Sequence, residues 1–138
     1  MLKGINWLAV AIAVVLLEAL GFVYYGYVVT APWTAAYQAS LGRAPDMGNA
    51  AVTQTIGVVV TLVLVTGLAW ALRRFALTGR DAVMAALGLW FFFDFSTMAV
   101  DYVYMGMSLT LVGINMGYQL LSYLIAGAVL GFMPARKS

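Results

Sequence analysis

Charged residues are spaced so far apart in this sequence that their positions constrain the fold more than any other feature. Three long stretches, residues 4–42, 47–72 and 82–135, contain only three charged side chains, all acidic: Glu18, Asp94 and Asp101. A membrane-spanning helix needs about 20 mostly apolar residues. The first two stretches are therefore long enough for one span each, and the third is long enough for two.

The predicted fold is an all-α membrane protein in which residues 1–138 form a single four-helix transmembrane domain. The spans are predicted at about residues 5–29, 48–72, 82–104 and 108–132. The composition, 64% hydrophobic and 9% charged, agrees with this class and is far from the balance of a soluble domain. The first apolar run is too long for the core of a cleavable signal peptide, so it is predicted to remain as a span.

A short interfacial helix is predicted between the first and second spans. Trp33, Tyr37 and Leu41 recur there at helical spacing, and Gly42 is placed to end the segment.

The last two spans are predicted to form a tight antiparallel hairpin, because the connection around Gly106 is very short. Two glycine pairs in the fourth span, Gly113 with Gly117 and Gly127 with Gly131, allow close approach of another helix. We expect the hairpin to be closest at the first pair.

The basic residues predict the orientation of the chain in the membrane. With four spans, one side of the membrane holds six of them, and the other side holds only Arg43; the six are Lys3, Arg73, Arg74, Arg80, Arg136 and Lys137. Cytoplasmic segments carry the excess of lysine and arginine. The sequence therefore predicts a multi-pass protein of the bacterial inner membrane with both termini in the cytoplasm.

Two carboxylates are predicted near the middle of the bilayer, Glu18 in the first span and Asp94 in the third. An unpaired charge at that depth costs at least about 2.5 kcal/mol, so both side chains are expected to face the interior of the bundle. Asp101 lies two helical turns after Asp94, roughly 10 Å along the same face, with Thr97 between them. This face would run from the midplane to the outer interface.

Polar residues in the other spans follow single faces as well. In the fourth span Asn115, Tyr118, Gln119 and Ser122 form one stripe, and in the first span Tyr25 lies two turns from Glu18. The candidate residues for binding a ligand or a proton are Glu18, Tyr25, Asp94, Asp101, Asn115, Tyr118 and Gln119. We expect Asp94 to reach one of Glu18, Tyr25, Asn115 or Gln119 by a hydrogen bond, directly or through water. Alternatively, these groups only hold helices together, at about 0.6 kcal/mol per hydrogen bond on average.

Several function classes lack the residues they need. The chain has no cysteine and no histidine, which excludes disulfides and metal or haem sites built on thiolate or imidazole ligands. It also has no nucleophile–base pair, no glycine-rich phosphate loop and no lysine inside a span for a retinal Schiff base. The sequence therefore predicts no catalytic residue, no metal and no cofactor.

Two segments carry a resemblance to a known family, "INWLAVAIAVVLLEALGFVYYGYVVTAPW" and "SLTLVGINMGYQLLSYLIAGAVLG". They resemble domain-of-unknown-function family 1761, small bacterial and fungal four-helix membrane proteins without an established activity. The residues that fit the pattern are Asn6, Trp7, Tyr25, Trp33, Ser108, Leu109, Gly117, Tyr118 and Gly127. In the family pattern an acid stands at the position of Asn115 and a histidine at that of Gln119. The resemblance implies a fold and a membrane location, and it implies no mechanism.

Two functions remain open at this point. The first is a small transporter or binding protein for a proton, a cation or a small molecule, because carboxylates without basic partners lie in the spans. The second is a non-catalytic accessory or assembly subunit of a membrane complex. The expected partners are the lipid bilayer and either further copies of the chain or a larger membrane complex, and not nucleic acid.

Overall fold

A computed structural model describes residues 2–135 of the chain, and every regular element within them is helical. Two of the spans are interrupted by short π-helical segments, each of which continues the helix before it. In chain order the elements are α1 (Trp7–Val23), a π-helical turn (Tyr24–Val28), α2 (Thr30–Leu41), α3 (Ala50–Arg74), α4 (Gly79–Leu89), a second π-helical segment (Trp90–Phe95), α5 (Ser96–Tyr104) and α6 (Leu109–Phe132).

The predicted fold class is confirmed. Within residues 2–135, four helical segments are long and apolar enough to cross a membrane, close to the predicted bounds: Trp7–Val28, Ala50–Arg74, Gly79–Tyr104 and Leu109–Phe132. The short helix predicted between the first two spans is α2, and it ends at Gly42, whose φ of 68° is left-handed. The chain is therefore a multi-pass membrane protein.

Side-chain caps fix where three of the spans begin. Asn6 before α1, Asn49 before α3 and Ser108 before α6 each accept a hydrogen bond from an amide of the first turn, which satisfies donors that the helix leaves free. Asp46, just before the predicted start of the second span, accepts from the Gly48 amide in the preceding turn. The second span consequently begins at Ala50, later than predicted.

The closest helix packing joins α4 to α6. A Cβ atom added at Gly127 would lie 2.7 Å from the Cβ of Ala86, and one added at Gly131 would lie 2.7 Å from the Cβ of Ala82. Both distances are shorter than real Cβ contacts, so only glycine allows this approach. Lipid supplies no hydrophobic force between helices, and close packing of small residues is one of the interactions that replaces it.

The prediction that the hairpin is closest at Gly113 and Gly117 is wrong. No atom lies within 4 Å of a Cβ built at Gly113, and the near neighbour at Gly117 is the Tyr24 hydroxyl of the first span. The two glycine pairs look alike in sequence, but α5 diverges from the start of α6 and contains no buried residue. The two helices of the hairpin are instead closest at Gly127 and Gly131, at the end away from their connection.

The two ends of the bundle differ in how densely they are packed. One end is formed by the N-terminal segment, the end of α3, the start of α4 and the end of α6; we call residues 2–6, 73–80 and 133–135 the basic end. Buried core residues from α1, α3, α4 and α6 lie in the half of the bundle next to it. At the opposite end every side chain of residues 51–60 in α3 is exposed. Within residues 2–135, the first half of α3 thus has no helix packed over it.

Replacing Gly127 with alanine tests the close contact. Because the added Cβ meets Ala86 in a buried site, Gly127→Ala should lower the free energy of unfolding by about 1–3 kcal/mol, as overpacking does. Gly113→Ala is the matched control, since its surroundings are empty, and it should be close to neutral. Unfolding in mixed detergent measures both, and equal losses in the two variants would contradict the assignment.

The orientation stays a prediction, and two of the basic residues that favour it, Arg136 and Lys137, lie outside the described residues. The chain has no native cysteine, so single cysteines report accessibility without background. A membrane-impermeant maleimide should label Ala44→Cys on intact cells, because residue 44 is exposed at the end opposite the basic end. It should label Thr78→Cys, also exposed, only after the membrane is opened. Labelling of both sites from outside would contradict the four-span orientation.

Candidate functional site

A network of hydrogen bonds around Asn115 joins three of the helical elements. The Tyr25 hydroxyl donates to Asn115 Oδ1 at 2.8 Å, and Asn115 Nδ2 donates to the Tyr102 hydroxyl at 3.4 Å. Tyr25 belongs to the first π-helical turn, Tyr102 to α5 and Asn115 to α6. One amide side chain therefore links the first, third and fourth spans.

Two further tyrosines bind backbone carbonyl groups across the same helix contact. The Tyr24 hydroxyl donates to the carbonyl oxygen of Ile114 at 2.8 Å, and the Tyr118 hydroxyl donates to that of Leu17 at 3.4 Å. The space for Tyr118 comes from Gly21, because a Cβ atom there would lie 3.1 Å from the Tyr118 hydroxyl. Each span thus supplies a tyrosine to the backbone of the other.

The tyrosine rings form one continuous aromatic cluster that reaches α2. The ring centroid of Tyr25 lies 5.2 Å from that of Tyr118 and 5.3 Å from that of Trp33, and Trp33 lies 5.5 Å from Tyr37. These distances are in the range of favourable edge-to-face and tilted pairs. A hydrogen bond also holds α2 in place, since the amide of Ser108 donates to Ser40 Oγ at 2.9 Å. We call Tyr24, Tyr25, Tyr37, Tyr102 and Tyr118, together with Asn115 and Trp33, the tyrosine cluster.

The first π-helical turn explains how adjacent tyrosines contribute to one cluster. A π turn adds a residue to the helical ladder and is often found at functional sites. Here it covers Tyr24–Val28, so Tyr24 and Tyr25 both reach α6, while Tyr27 is 74% exposed. Regular α-helical periodicity places adjacent residues about 100° apart, so the sequence analysis selected Tyr25 and not Tyr24. It also missed Tyr102, which lies in the regular helix α5.

Glu18 lies beside the tyrosine cluster and outside its hydrogen bonds. Its side chain is partly buried, and within residues 2–135 it makes no side-chain hydrogen bond. It follows Leu17, whose carbonyl oxygen accepts the hydrogen bond from Tyr118. Of the seven candidates, the structure therefore brings Tyr25, Asn115 and Tyr118 into contact, with Glu18 at their edge.

Asp94 forms a second polar site, on the second π-helical segment. Its Oδ2 atom is buried and has no hydrogen-bond partner in the described part of the chain, and the same holds for Trp90 Nε1. One group accepts and the other donates, and they lie four residues apart on a single segment. Buried polar groups are almost always paired, so each unpaired one needs an explanation such as a bound water or ion. Sequence reasoning selected Asp94 and missed Trp90.

The phenylalanines next to Asp94 in the sequence point in the opposite direction to the Asp94 side chain. Phe91, Phe92 and Phe93 are 52%, 70% and 67% exposed, as expected of side chains that face lipid, while Asp94 and Trp90 are partly buried. The π-helical segment therefore turns an acid and an indole away from the lipid-facing phenylalanines. This accounts for a carboxylate within the most aromatic stretch of the sequence.

The expected direct hydrogen bond between Asp94 and Glu18, Tyr25, Asn115 or Gln119 does not occur in residues 2–135. Tyr25 donates instead to Asn115, and Asn115 donates to Tyr102. Two of the four expected partners are therefore bonded to other groups.

Two predicted candidates lie outside both polar sites. Gln119 is partly exposed and makes no side-chain hydrogen bond within residues 2–135. Asp101 is exposed on α5. Ser122, from the same predicted stripe, is buried and donates to the Tyr118 carbonyl group of its own helix.

Among the described residues, no group of three or more acidic, histidine or cysteine side chains could hold a metal ion.

Comparison with known proteins gives one match. A family model described as "Protein of unknown function (DUF1761)" matches residues 8–131, nearly the whole chain. No curated protein and no solved structure matches the sequence.

The hydrogen bond from Tyr25 can be tested by comparing substitutions of Tyr25 and of the nearby Tyr27. Tyr25→Phe removes the donor to Asn115 and should lower the free energy of unfolding by about 0.6–1.7 kcal/mol, the range for hydrogen bonds between membrane helices. Tyr27→Phe is the control, because Tyr27 is exposed, and it should change nothing. In an Asn115→Ala background the effect of Tyr25→Phe should disappear. An unchanged effect would mean that the two side chains are not coupled.

Proposed function

We propose that this chain, which belongs to the DUF1761 family of proteins of unknown function, binds a proton or a small cation at Asp94 and carries it across the membrane. The observation that supports the proposal is the pair of unpartnered buried atoms, Asp94 Oδ2 and Trp90 Nε1, in the middle of the third span. Ionisable groups inside membrane spans commonly mark pathways for ions or protons.

The charge on Asp94 has no basic side chain to balance it. No lysine or arginine occurs in residues 4–42, 47–72 or 82–135, and these stretches contain most of the residues of the four spans. A carboxylate in low dielectric is stabilised only by a counter-charge, by hydrogen bonds or by a proton. A mobile proton or cation can supply the positive charge that the fixed residues lack. Its binding and release would constitute one step of transport.

The neighbours of Asp94 suit a small, positively charged ligand. The ring of Trp90 lies 5.5 Å from that of Phe95, and both residues are partly buried on the same segment as the carboxylate. Aromatic faces attract cations, and tryptophan does so most strongly. The Trp90 N–H group can in addition orient a water molecule that accompanies the ion.

A path toward the surface follows the same helix. Thr97 and Asp101 continue from Asp94 toward the end of α5, and both are exposed. The Thr97 hydroxyl donates to the Phe93 carbonyl group at 2.6 Å, which leaves its oxygen free to accept a hydrogen bond from water. Because α5 contains no buried residue, this part of the third span is the least constrained by packing. We propose that the ion enters or leaves by this route.

The proposal predicts that the carboxylate of Asp94 is essential for transport but not for folding. In liposomes with an internal pH dye, Asp94→Asn should abolish proton or cation flux, because the amide keeps the volume and loses the titratable group. Asp81→Asn is the matched control on the same span: Asp81 is exposed in the first turn of α4, and its loss should leave the flux unchanged. Circular dichroism and the unfolding midpoint verify that both variants fold.

Two results would contradict the proposal. If Asp94→Asn carries the same flux as the wild type, the carboxylate has a structural role only. If the wild-type protein carries no proton or monovalent cation flux at all, the accessory-subunit hypothesis is favoured. A specific observation already supports that second hypothesis: residues 51–60 of α3 are exposed over every face, and a partner helix could pack there.

A further inference from the structure

The basic end contains a cavity that neither the tyrosine cluster nor Asp94 uses. It has a volume of about 650 Å³ and is open to the surface, a size typical of small-molecule sites. Its deeper walls are apolar and come from α3 and α6: Ala69, Leu72 and Leu130. Its rim is polar and comes from the N-terminal segment and the α3–α4 connection: Asn6, Arg73 and Thr78. A ligand that fits must therefore be amphipathic.

Two hydrogen bonds build the rim from segments far apart in sequence. Asn6 Nδ2 donates to the carbonyl oxygen of Met133 at 3.0 Å, which ties the start of the chain to the end of α6. The guanidinium group of Arg73 donates to the carbonyl oxygen of Gly4. Gly4 has a φ of 79°, and a Cβ atom there would collide with the guanidinium group. Glycine at this position thus makes room for Arg73 at the mouth of the cavity.

Arg73 keeps most of its hydrogen-bonding capacity. A guanidinium group has five N–H donors, and within residues 2–135 the bond to Gly4 is the only hydrogen bond that Arg73 makes from its side chain. The remaining donors can bind the two oxygens of a phosphate group in parallel, the geometry that makes arginine effective with phosphates.

The start of α4 lies beside the same rim, because Thr78, the residue before it, lines the cavity. Thr78 precedes α4, and its side chain makes no capping hydrogen bond, so amide groups of the first turn remain without a side-chain partner. The N-terminus of a helix attracts anions through these amides and through the helix dipole. One acidic side chain, Asp81, lies in that turn and is exposed. Three more basic side chains, Lys3, Arg74 and Arg80, lie in or next to this end and outweigh it.

We propose that this cavity binds the phosphate headgroup of an anionic phospholipid, with an acyl chain against the apolar walls. The guanidinium group of Arg73 holds the phosphate, and the N-terminal end of α4 beside the rim favours its negative charge. The apolar walls distinguish a lipid from a free phosphate ester, since only a ligand with a tail covers the apolar lining of the cavity. The site is independent of ion transport at Asp94.

The test compares two adjacent arginines in the protein purified in neutral detergent. Binding of dioctanoyl phosphatidylglycerol is measured by native mass spectrometry and calorimetry, with dioctanoyl phosphatidylcholine as the uncharged competitor. Arg73→Gln should raise the Kd for the anionic lipid about fivefold, which is the contribution of one basic residue near a membrane surface. Arg74→Gln removes the same charge from a residue that does not line the cavity, so it should have a much smaller effect.

A second pair of variants separates binding from folding. Thr78→Asp supplies a cap to α4 and should stabilise the helix, while its charge repels the phosphate and weakens binding. Thr78→Asn supplies the same cap without the charge, so it should weaken binding less than Thr78→Asp does. This combination keeps the test valid even if Arg73→Gln folds poorly, because a general loss of stability cannot explain weaker binding in the better-capped variant.

Three results would overturn the proposal. Equal losses in Arg73→Gln and Arg74→Gln would show that only the general surface charge attracts the lipid. Equal affinity for the zwitterionic lipid would show that the site does not select an anion. Glycerol 1-phosphate, which has no tail, is the last probe: if it binds as tightly as the lipid and with the same dependence on Arg73, the anion site stands and the lipid is wrong as its source.

Discussion

In a membrane the lipid chains are as apolar as the side chains they surround, so hydrophobic burial does not hold one helix against another. What remains is close packing and hydrogen bonding, and in this chain α6 supplies both. Toward α4 it presents Gly127 and Gly131, which bring the two backbones together. Toward the first span it presents Asn115, which receives the Tyr25 hydrogen bond. The other elements are arranged around this one helix.

The glycine contacts and the hydrogen bonds lie at different depths, so the two ends of the molecule are packed differently. The glycine contacts lie near the basic end, where the core residues of α1, α3, α4 and α6 are buried. The tyrosine cluster lies toward the opposite end, where it fastens the first span and α2 to α6 but leaves α5 and the first half of α3 with no buried residue. Regions with few buried contacts open at the lowest free-energy cost. The proposed ion route along α5 lies in the part of the molecule that can move most easily, and the proposed lipid site lies in the part that is fixed.

The two π-helical segments give the interior its chemistry. The first allows neighbouring tyrosines to reach α6 together, and the second orients Asp94 and Trp90 away from the lipid-facing phenylalanines. The two segments have different consequences because their polar side chains have different neighbours. Tyr25 finds Asn115 as a partner and forms part of a closed network, which stabilises the bundle. Asp94 Oδ2 and Trp90 Nε1 find none among the described residues, and unsatisfied buried groups are costly. The proton or cation proposed to bind at Asp94 would satisfy this pair, whereas Tyr25 and Asn115 in the tyrosine cluster are paired with each other.

The sequence by itself determined the number of spans, their approximate bounds and the helix between the first two, because the spacing of charges is a local property that lipid enforces on any chain. It also selected Tyr25, Asn115 and Tyr118, whose polarity within apolar spans points inward wherever the helices go. Only the tertiary structure decided between the glycine pairs, since Gly113 and Gly127 look alike until a neighbour approaches one and not the other. Only the tertiary structure separated Asp94 from the pair of Tyr25 and Asn115, because residues at a similar depth meet only where their helices bring them together. The first π-helical segment adds a residue that the regular period of 3.6 does not count, so Tyr24 was out of reach of a reading based on that period. Trp90 lies four residues before Asp94, on the same helical face, and was within its reach.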